Sequence, residues 1–517
     1  MGRHPVPSGG HRAGLPRRVR FDERRDAADR RPSRAALAAH PPAVLGVQRP
    51  GRGREDRERP VAGGHLRRHQ HDLRDRAPHA HPAGRGGGGH RRLHRAAREE
   101  SSATRRRDPP ARARHPRRPP SRAGPRRHPL HPAREAAVVI RISEMVLPGH
   151  PDKFCDQVAD AVIAACVAVD ADAYGQVEVS TWSDHVWLSG GICTRRPLPQ
   201  TLESLVVKAG LAAGYGAGNW IDPNRYRVTS TVCQQVGDPT RWSARVNDQS
   251  IVLGWAGYDP HTHYLPPEHF LAHALREALT DSCRDGVLKG QGPDGKLMVR
   301  LREDSAGWTL EQVLVTLQQH EDLAFLELCE RAATTVADAY RETRERDPRW
   351  RASWADVDLL INPNGPLVNG GSDGDNGQTG RKLVMDFYGP RVPIGGGALS
   401  GKHLSHIDRI GAYAARDAAV RAVQSGAKEC LVRVAYAPNR EMPLDIDYAM
   451  EGRGERQSPA FFAHPEMVDR YPASLITADR ARGLHFFDRR LPWNQGCGGH
   501  SDPFSAHIDP RTLSPAP

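Results

Sequence analysis

The feature that most limits what this chain can fold into is a break in composition near residue 136. Residues 1–135 hold 35 Arg, no Lys, 13 Asp or Glu, 13 His, 18 Pro and 15 Gly, with Phe21 the sole aromatic and neither Ile nor Cys. Such a segment has too little apolar surface to offset the entropy lost when its backbone is ordered. Residues 1–137 are therefore expected to be a disordered basic leader, outside the fold. The leader's net charge of +22 exceeds the +13 of the whole chain, so the remainder carries −9, with 39 Lys and Arg against 48 Asp and Glu. The basic character belongs to the leader alone.

Three readings of the leader compete. Arg105-Arg106-Arg107 would suit phosphate binding through counterion release, but the lack of Lys and of stacking aromatics argues against a nucleic-acid partner. A targeting peptide needs either an unbroken apolar stretch, and His40-Pro41-Pro42 interrupts the one at 35–47, or a Ser-rich, acid-poor amphipathic one. The third, adopted here, is sequence translated upstream of the true start or out of frame with it. No stretch approaches the roughly 18 apolar residues of a membrane span. The eight cysteines lie between Cys155 and Cys497 without a CxxC pair, so neither a zinc site nor a dense disulfide scaffold is indicated. A cytoplasmic protein with no membrane partner is expected.

Ordered sequence begins at Ala137-Val138-Val139-Ile140, and a catalytic core is expected over 138–500, followed by a polar tail at 501–517. After Gly149-His150-Pro151, the apolar residues Phe154, Val158, Val162 and Cys166 keep the spacing of one helical face. Pro151 suits the first turn and Asp152 complements the helix dipole. Val177, Val179 and Thr181, then Val186 and Leu188, alternate as a hairpin ending at Gly190-Gly191. Leu359-Leu360-Ile361 reads as a strand entering a turn. A glycine-dense loop at 370–377 leads to Arg381-Lys382 and a further strand. A second, 395–402, precedes a helix from Ile407 that Gly426 can cap, then strand Leu431 to Tyr436. Strands and helices alternate, as in a layered α/β or α+β fold.

Gly396, four residues, Gly401 and Lys402 fit the phosphate-cradling GxxxxGK pattern, but His403 stands where a P-loop nucleoside triphosphatase needs a hydroxyl for Mg²⁺. His150, Lys153, Lys296, Arg381, Lys382 and Lys402 all fall on expected loops or helix starts, interleaved with Asp152, Asp294, Asp375 and Asp408. Taken singly, each is most often a solvated charge. Together they suit a polyphosphate, whose oxygens need cations and whose bridging Mg²⁺ ions need carboxylates.

From Ile140 to Asn494 the chain resembles the methionine adenosyltransferase, or S-adenosylmethionine synthetase, family. The likeness rests on Ser143-Glu144 with Gly149-His150-Pro151-Asp152-Lys153; Asn247-Asp248-Gln249; Pro293-Asp294-Gly295-Lys296; Ile361-Asn362-Pro363; Gly374-Asp375 with Thr379-Gly380-Arg381-Lys382; Gly395-Gly396-Gly397-Ala398 with Ser400-Gly401-Lys402; and Asp408-Arg409. The resemblance implies three similar α/β subdomains about a pseudo-threefold axis, assembled as a homodimer or homotetramer with sites at the subunit interface. It implies attack of the methionine sulfur on C5′ of ATP, with Mg²⁺ and K⁺ as cofactors. His150, Lys296, Arg381 and Lys402 take catalytic roles in it. Glu144, Asp248, Asp294, Asp375, Lys382 and Ala398 join them at ATP; Gln235, Asp248, Asp375 and His406 face methionine; Asp152 and Asp408 hold metal.

The departures fall on the amino-acid side. Ile192 replaces a glutamate after Gly190-Gly191, His406 a lysine and Leu367 an aromatic residue, while the glutamate associated with K⁺ falls on or beside Val179, next to Glu178. They leave open a catalytically impaired paralogue or an enzyme for another sulfur amino acid.

Overall fold

β-Branched residues first cluster at Val138–Ile142, and there the fold described by the computed structural model starts. It covers residues 138–216, 221–288, 290–476 and 481–496, so the leader and the polar tail expected at 501–517 lie outside the described residues. β1 (Val139–Val146) is an edge strand of a sheet ordered β1-β7-β8-β9, with β7 (Gln291–Asp304), β8 (Gly307–Gln319) and β9 (Asp358–Ile361). A second sheet runs β10-β2-β3-β4, made of β10 (Gly377–Gln378), β2 (Tyr174–Trp182), β3 (His185–Thr194) and β4 (Arg227–Ser230), with β5 (Cys233–Val236) also parallel to β3. The third is β12-β11-β6: β12 (Asp445–Gly452), β11 (Ala427–Tyr436) and β6 (Ser250–Gly257).

Each sheet is backed by helix. α1 (Pro151–Val169) packs on β2 beside α2 (Leu202–Ala212), α3 (Pro267–Arg284) on β1 and β7 beside α4 (Phe325–Arg346), and α5 (Ile407–Gln424) on β6 and β11. The three α/β layers are interleaved along the chain: β1 pairs with β7, and β10 returns to β2. The expected apolar stripe of α1 is buried, and β2 alternates buried Val177, Val179 and Thr181 with half-buried Gln176, Glu178 and Ser180.

Three expectations need correction. β3 continues through Gly190-Gly191 to Thr194; at Gly190 φ is +119° and a Cβ would lie 2.0 Å from the Gln176 carbonyl, so glycine lets the strand pass. The stretch after Arg381-Lys382 is a helical turn, Leu383–Asp386, not a strand. Short apolar runs suit either state, and tertiary contacts decide: Lys153 holds the Asp386 carboxylate, and His269 Nε2 donates to the Met385 carbonyl at 3.1 Å. β11 also begins earlier, at Ala427.

Candidate active site

Two helix starts organise the charged residues. At α1, His150 is the N-cap, and its Nδ1 accepts the Asp152 N–H at 3.2 Å, meeting one of the donors that a helix start leaves unpaired. Burial, then the nearby cations Lys382 and Lys296, push the imidazole down to about 3, so it is neutral near pH 7. The Asp152 carboxylate is 1% exposed and is held by Lys382, by the Gln378 N–H at 2.9 Å and by Arg381 Nε at 3.4 Å. Lys296 is exposed on β7, and Asp375 lies within electrostatic reach of His150. Asp294 accepts the Gly371 N–H at 2.7 Å and so anchors the first glycine loop; burial pushes its carboxyl up to about 6.

At α5 the same device recurs. His406 is the N-cap, its Nδ1 accepts the Asp408 N–H at 3.2 Å, and burial, then His403 and Lys402, push it down to about 3. Lys402 Nζ donates to Asp408 at 2.6 Å and Ser250 Oγ at 2.5 Å; burial alone would raise the carboxyl, but Lys402 and Ser250 hold it below the ordinary range. Gly397 rests on this carboxylate, since a Cβ there would lie 2.5 Å from Asp408 Cγ. The ligand atoms of Asp248, His406 and Asp408 fall within 4.8 Å of one another. Two carboxylates and an imidazole make a donor set that fits a divalent cation.

The two groups are joined through α1. Asp152, Asp156 and Asp160 recur every fourth residue, and each accepts a backbone N–H from a segment far along the chain: Gln378 of β10 at 2.9 Å, Gly380 at 2.9 Å and Gly401 at 2.8 Å. A Cβ on Gly380 would approach Ala398 to 3.0 Å, so the turn before Arg381-Lys382 lies against the second glycine loop. Gly401-Lys402-His403 does not run straight into a helix as a P-loop does. Lys402 pairs with Gln176 on the edge of β2, the His403 N–H donates to Gly175 at 2.9 Å, and α5 starts only at Ile407.

Among the expected site residues, His150, Asp152, Lys296, Asp375, Arg381 and Lys382 gather at α1, and Asp248, Ala398, Lys402, His406 and Asp408 around the second loop. Glu144 and Gln235 are exposed on β1 and β5 and hydrogen-bond to neither group. Lys153, counted among the cations, is instead buried between Asp156 and Asp386. Ile192 is 4% exposed and packs beside Gly175, so a carboxylate at that position would face the core. Val179 is buried, whereas Glu178 is half-buried within electrostatic reach of Lys402. Asp156, Asp160 and Ser250 fall outside the motifs read from the sequence, which name Arg409 only beside Asp408 and without a role; the four-residue spacing of the α1 aspartates was the available signal.

Family models of S-adenosylmethionine synthetase match in three consecutive parts: the N-terminal domain over residues 138–236, the central domain over 243–367 and the C-terminal domain over 369–476. The chain belongs to the S-adenosylmethionine synthetase family. It is 30% identical over 356 residues to the S-adenosylmethionine synthase of Clostridium botulinum (strain Alaska E43 / Type E3), covering 65% of this chain and 88% of that protein. It is 34% identical over 311 residues to S-adenosylmethionine synthase 1 of Rhodospirillum rubrum, covering 58% and 78%, and 32% identical over 315 residues to the enzyme of Solidesulfovibrio magneticus, covering 59% and 78%. Among the described residues no helix is long and apolar enough to cross a membrane.

Proposed function

We propose that the chain makes S-adenosylmethionine from ATP and methionine. A sulfur lone pair of methionine attacks C5′, the C5′–O5′ bond breaks with its electrons leaving on the triphosphate, and the product is a sulfonium ion. The triphosphate is then hydrolysed to pyrophosphate and phosphate. Family membership supports the reaction, and the observation that carries it to these residues is the pair of cation-bearing turns, Gly380-Arg381-Lys382 and Gly401-Lys402, pinned to one helix. A neutral thioether is a weak nucleophile, so alignment and stabilisation of the leaving polyanion must supply most of the rate.

His150, neutral and at a helix N-terminus, is placed to stabilise O5′ as the bond breaks. Lys296, Arg381, Lys382 and Lys402 hold the triphosphate, the last three exchanging aspartate partners for phosphate oxygens. Asp294 and Asp375 shape the nucleotide loop, and Asp248 and Asp375 serve the adenosine and the amino acid. The family is metal-dependent; Asp408 with Asp248 and His406 would hold one Mg²⁺, and Asp152 a second once Lys382 turns to phosphate. A bound divalent ion neutralises charge on the departing triphosphate. We also assign the core to a cytoplasmic homo-oligomer, with K⁺ as an activator to be tested. The test is an assay with ATP and methionine that detects both the sulfonium product and released phosphates. Phosphate release without the sulfonium product would defeat the proposal.

A further inference from the structure

We propose that the buried pair Asp160–Arg409 is a clamp on the Gly401-Lys402 backbone whose task is to aim the Lys402 ammonium. This rests on the reading of Lys402 as a triphosphate ligand. The pair grips the loop at two points. Asp160 Oδ1 accepts the Gly401 N–H at 2.8 Å, and Arg409 Nη1 donates to the Lys402 carbonyl at 2.8 Å. Arg409 meets the same carboxylate with both ends of its fork, at 2.8 and 2.9 Å, and its Nε donates to the Tyr413 hydroxyl at 3.1 Å. Both side chains are 0% exposed, so neither touches substrate.

The backbone around the clamp has little freedom. Gly401 lies at φ +81°, where a Cβ would come within 2.2 Å of the Val177 carbonyl, and its own carbonyl accepts the Val177 N–H at 2.8 Å. With the Gly401 N–H and both carbonyls fixed, the moving part is the Lys402 side chain, whose ammonium lies 2.6 Å from Asp408. Stability alone does not explain such a pair, because desolvating two charges offsets much of their attraction, and an apolar pair often folds as well. A planar fork that binds one carboxylate twice and a carbonyl once fixes direction, which a lysine or an apolar side chain does not. The clamp lies two helical turns along α1 from Asp152, so the same helix sets the separation of the two cation groups, roughly 12 Å along its axis.

The prediction is tested by a double-mutant cycle on the full chain, with inorganic tripolyphosphate as the probe and rates expressed per folded molecule. Asp160→Asn should lower kcat at least tenfold and weaken tripolyphosphate binding at least tenfold, with KM for methionine unchanged within twofold. In a Lys402→Ala background the same substitution should cost less than twofold further, because the side chain it aims is gone. Should Asp160→Asn not fold, Arg409→Lys, whose single ammonium cannot reproduce the planar three-contact geometry of the fork, takes its place in the cycle. An equal loss with and without Lys402, or a rate within threefold of the parent, overturns the clamp. If Lys402→Ala itself leaves tripolyphosphate binding intact, the functional reading of the loop fails first, and that single variant shows it before Asp160 is changed.

Discussion

The starts of α1 and α5 are built alike and used differently. Each has a buried neutral histidine as N-cap, an aspartate two residues on, and a lysine that follows a glycine-rich segment on that aspartate. At α1 the carboxylate is enclosed at 1% exposure by Lys382, Arg381 and a backbone N–H. At α5 it is 12% exposed and lies beside Asp248 and His406. The helix supplies the same dipole and unpaired donors in both places. What differs is what the loops bring: an enclosing set of cations in one case, and a set of metal donors in the other.

The largest expected effect breaks that division at its cations. Lys402→Ala and Arg381→Ala should each lower kcat by about 10²- to 10³-fold, the usual cost of losing one contact to charge that develops in the transition state. Single-turnover rates check this, and losses below threefold with unchanged KM remove these residues from the site. Next comes metal. Asp408→Asn should weaken Mn²⁺ binding by about tenfold or more, since even outer-shell changes typically cost 10–100-fold. Asp152→Asn, in the nucleotide-free protein, should leave it within about threefold. Paramagnetic titration distinguishes the two, and equal weakening would erase the contrast.

A smaller effect concerns protons. His150 and His406 are each held at about 3 against an ordinary 6.5, so the unfolded chain takes up a proton near 6.5 that the folded one refuses. Their contribution to stability is complete above 6.5 and is lost as pH falls toward 3, at up to ~1.4 kcal/mol per pH unit for each. Asn caps a helix well, so His150→Asn and His406→Asn should each reduce the acid slope of the unfolding free energy by about that much. Urea titrations at a series of pH values decide, and a slope unchanged by either variant refutes the neutral-histidine reading. The smallest effect is expected from the leader: a chain beginning at Ala136 should turn over within about twofold of the full chain, because the composition of residues 1–135 offers little apolar surface. A larger drop in kcat would give the leader a functional role.

Much of the site was legible because its signals are local. His150-Pro151-Asp152 marks a helix start within three residues, and Gly426, at φ +121°, ends α5 as expected. The core stripe of α1 follows from its four-residue period. The turn at Leu383–Asp386 was missed because a short apolar run serves strand or helix until its neighbours are known. The inward turn of Ile192 depends on the strand register past Gly190, where one step of pairing exchanges the two faces.

The residue types by themselves suited a polyphosphate: glycine loops, cations and carboxylates at expected helix starts are the groups its oxygens and bridging cations need. Which carboxylate serves which partner was decided by the tertiary structure. Asp152 finds Lys382 across 230 residues, Asp408 finds Ser250 across 158, and Asp160 finds Arg409 across 249. Over such separations no local propensity acts, and an aspartate bound to a lysine, a backbone N–H or a metal has the same side chain. Pairing is set by the packing that brings distant loops onto one helix, where leaving a buried charge without a partner costs more than any local preference supplies.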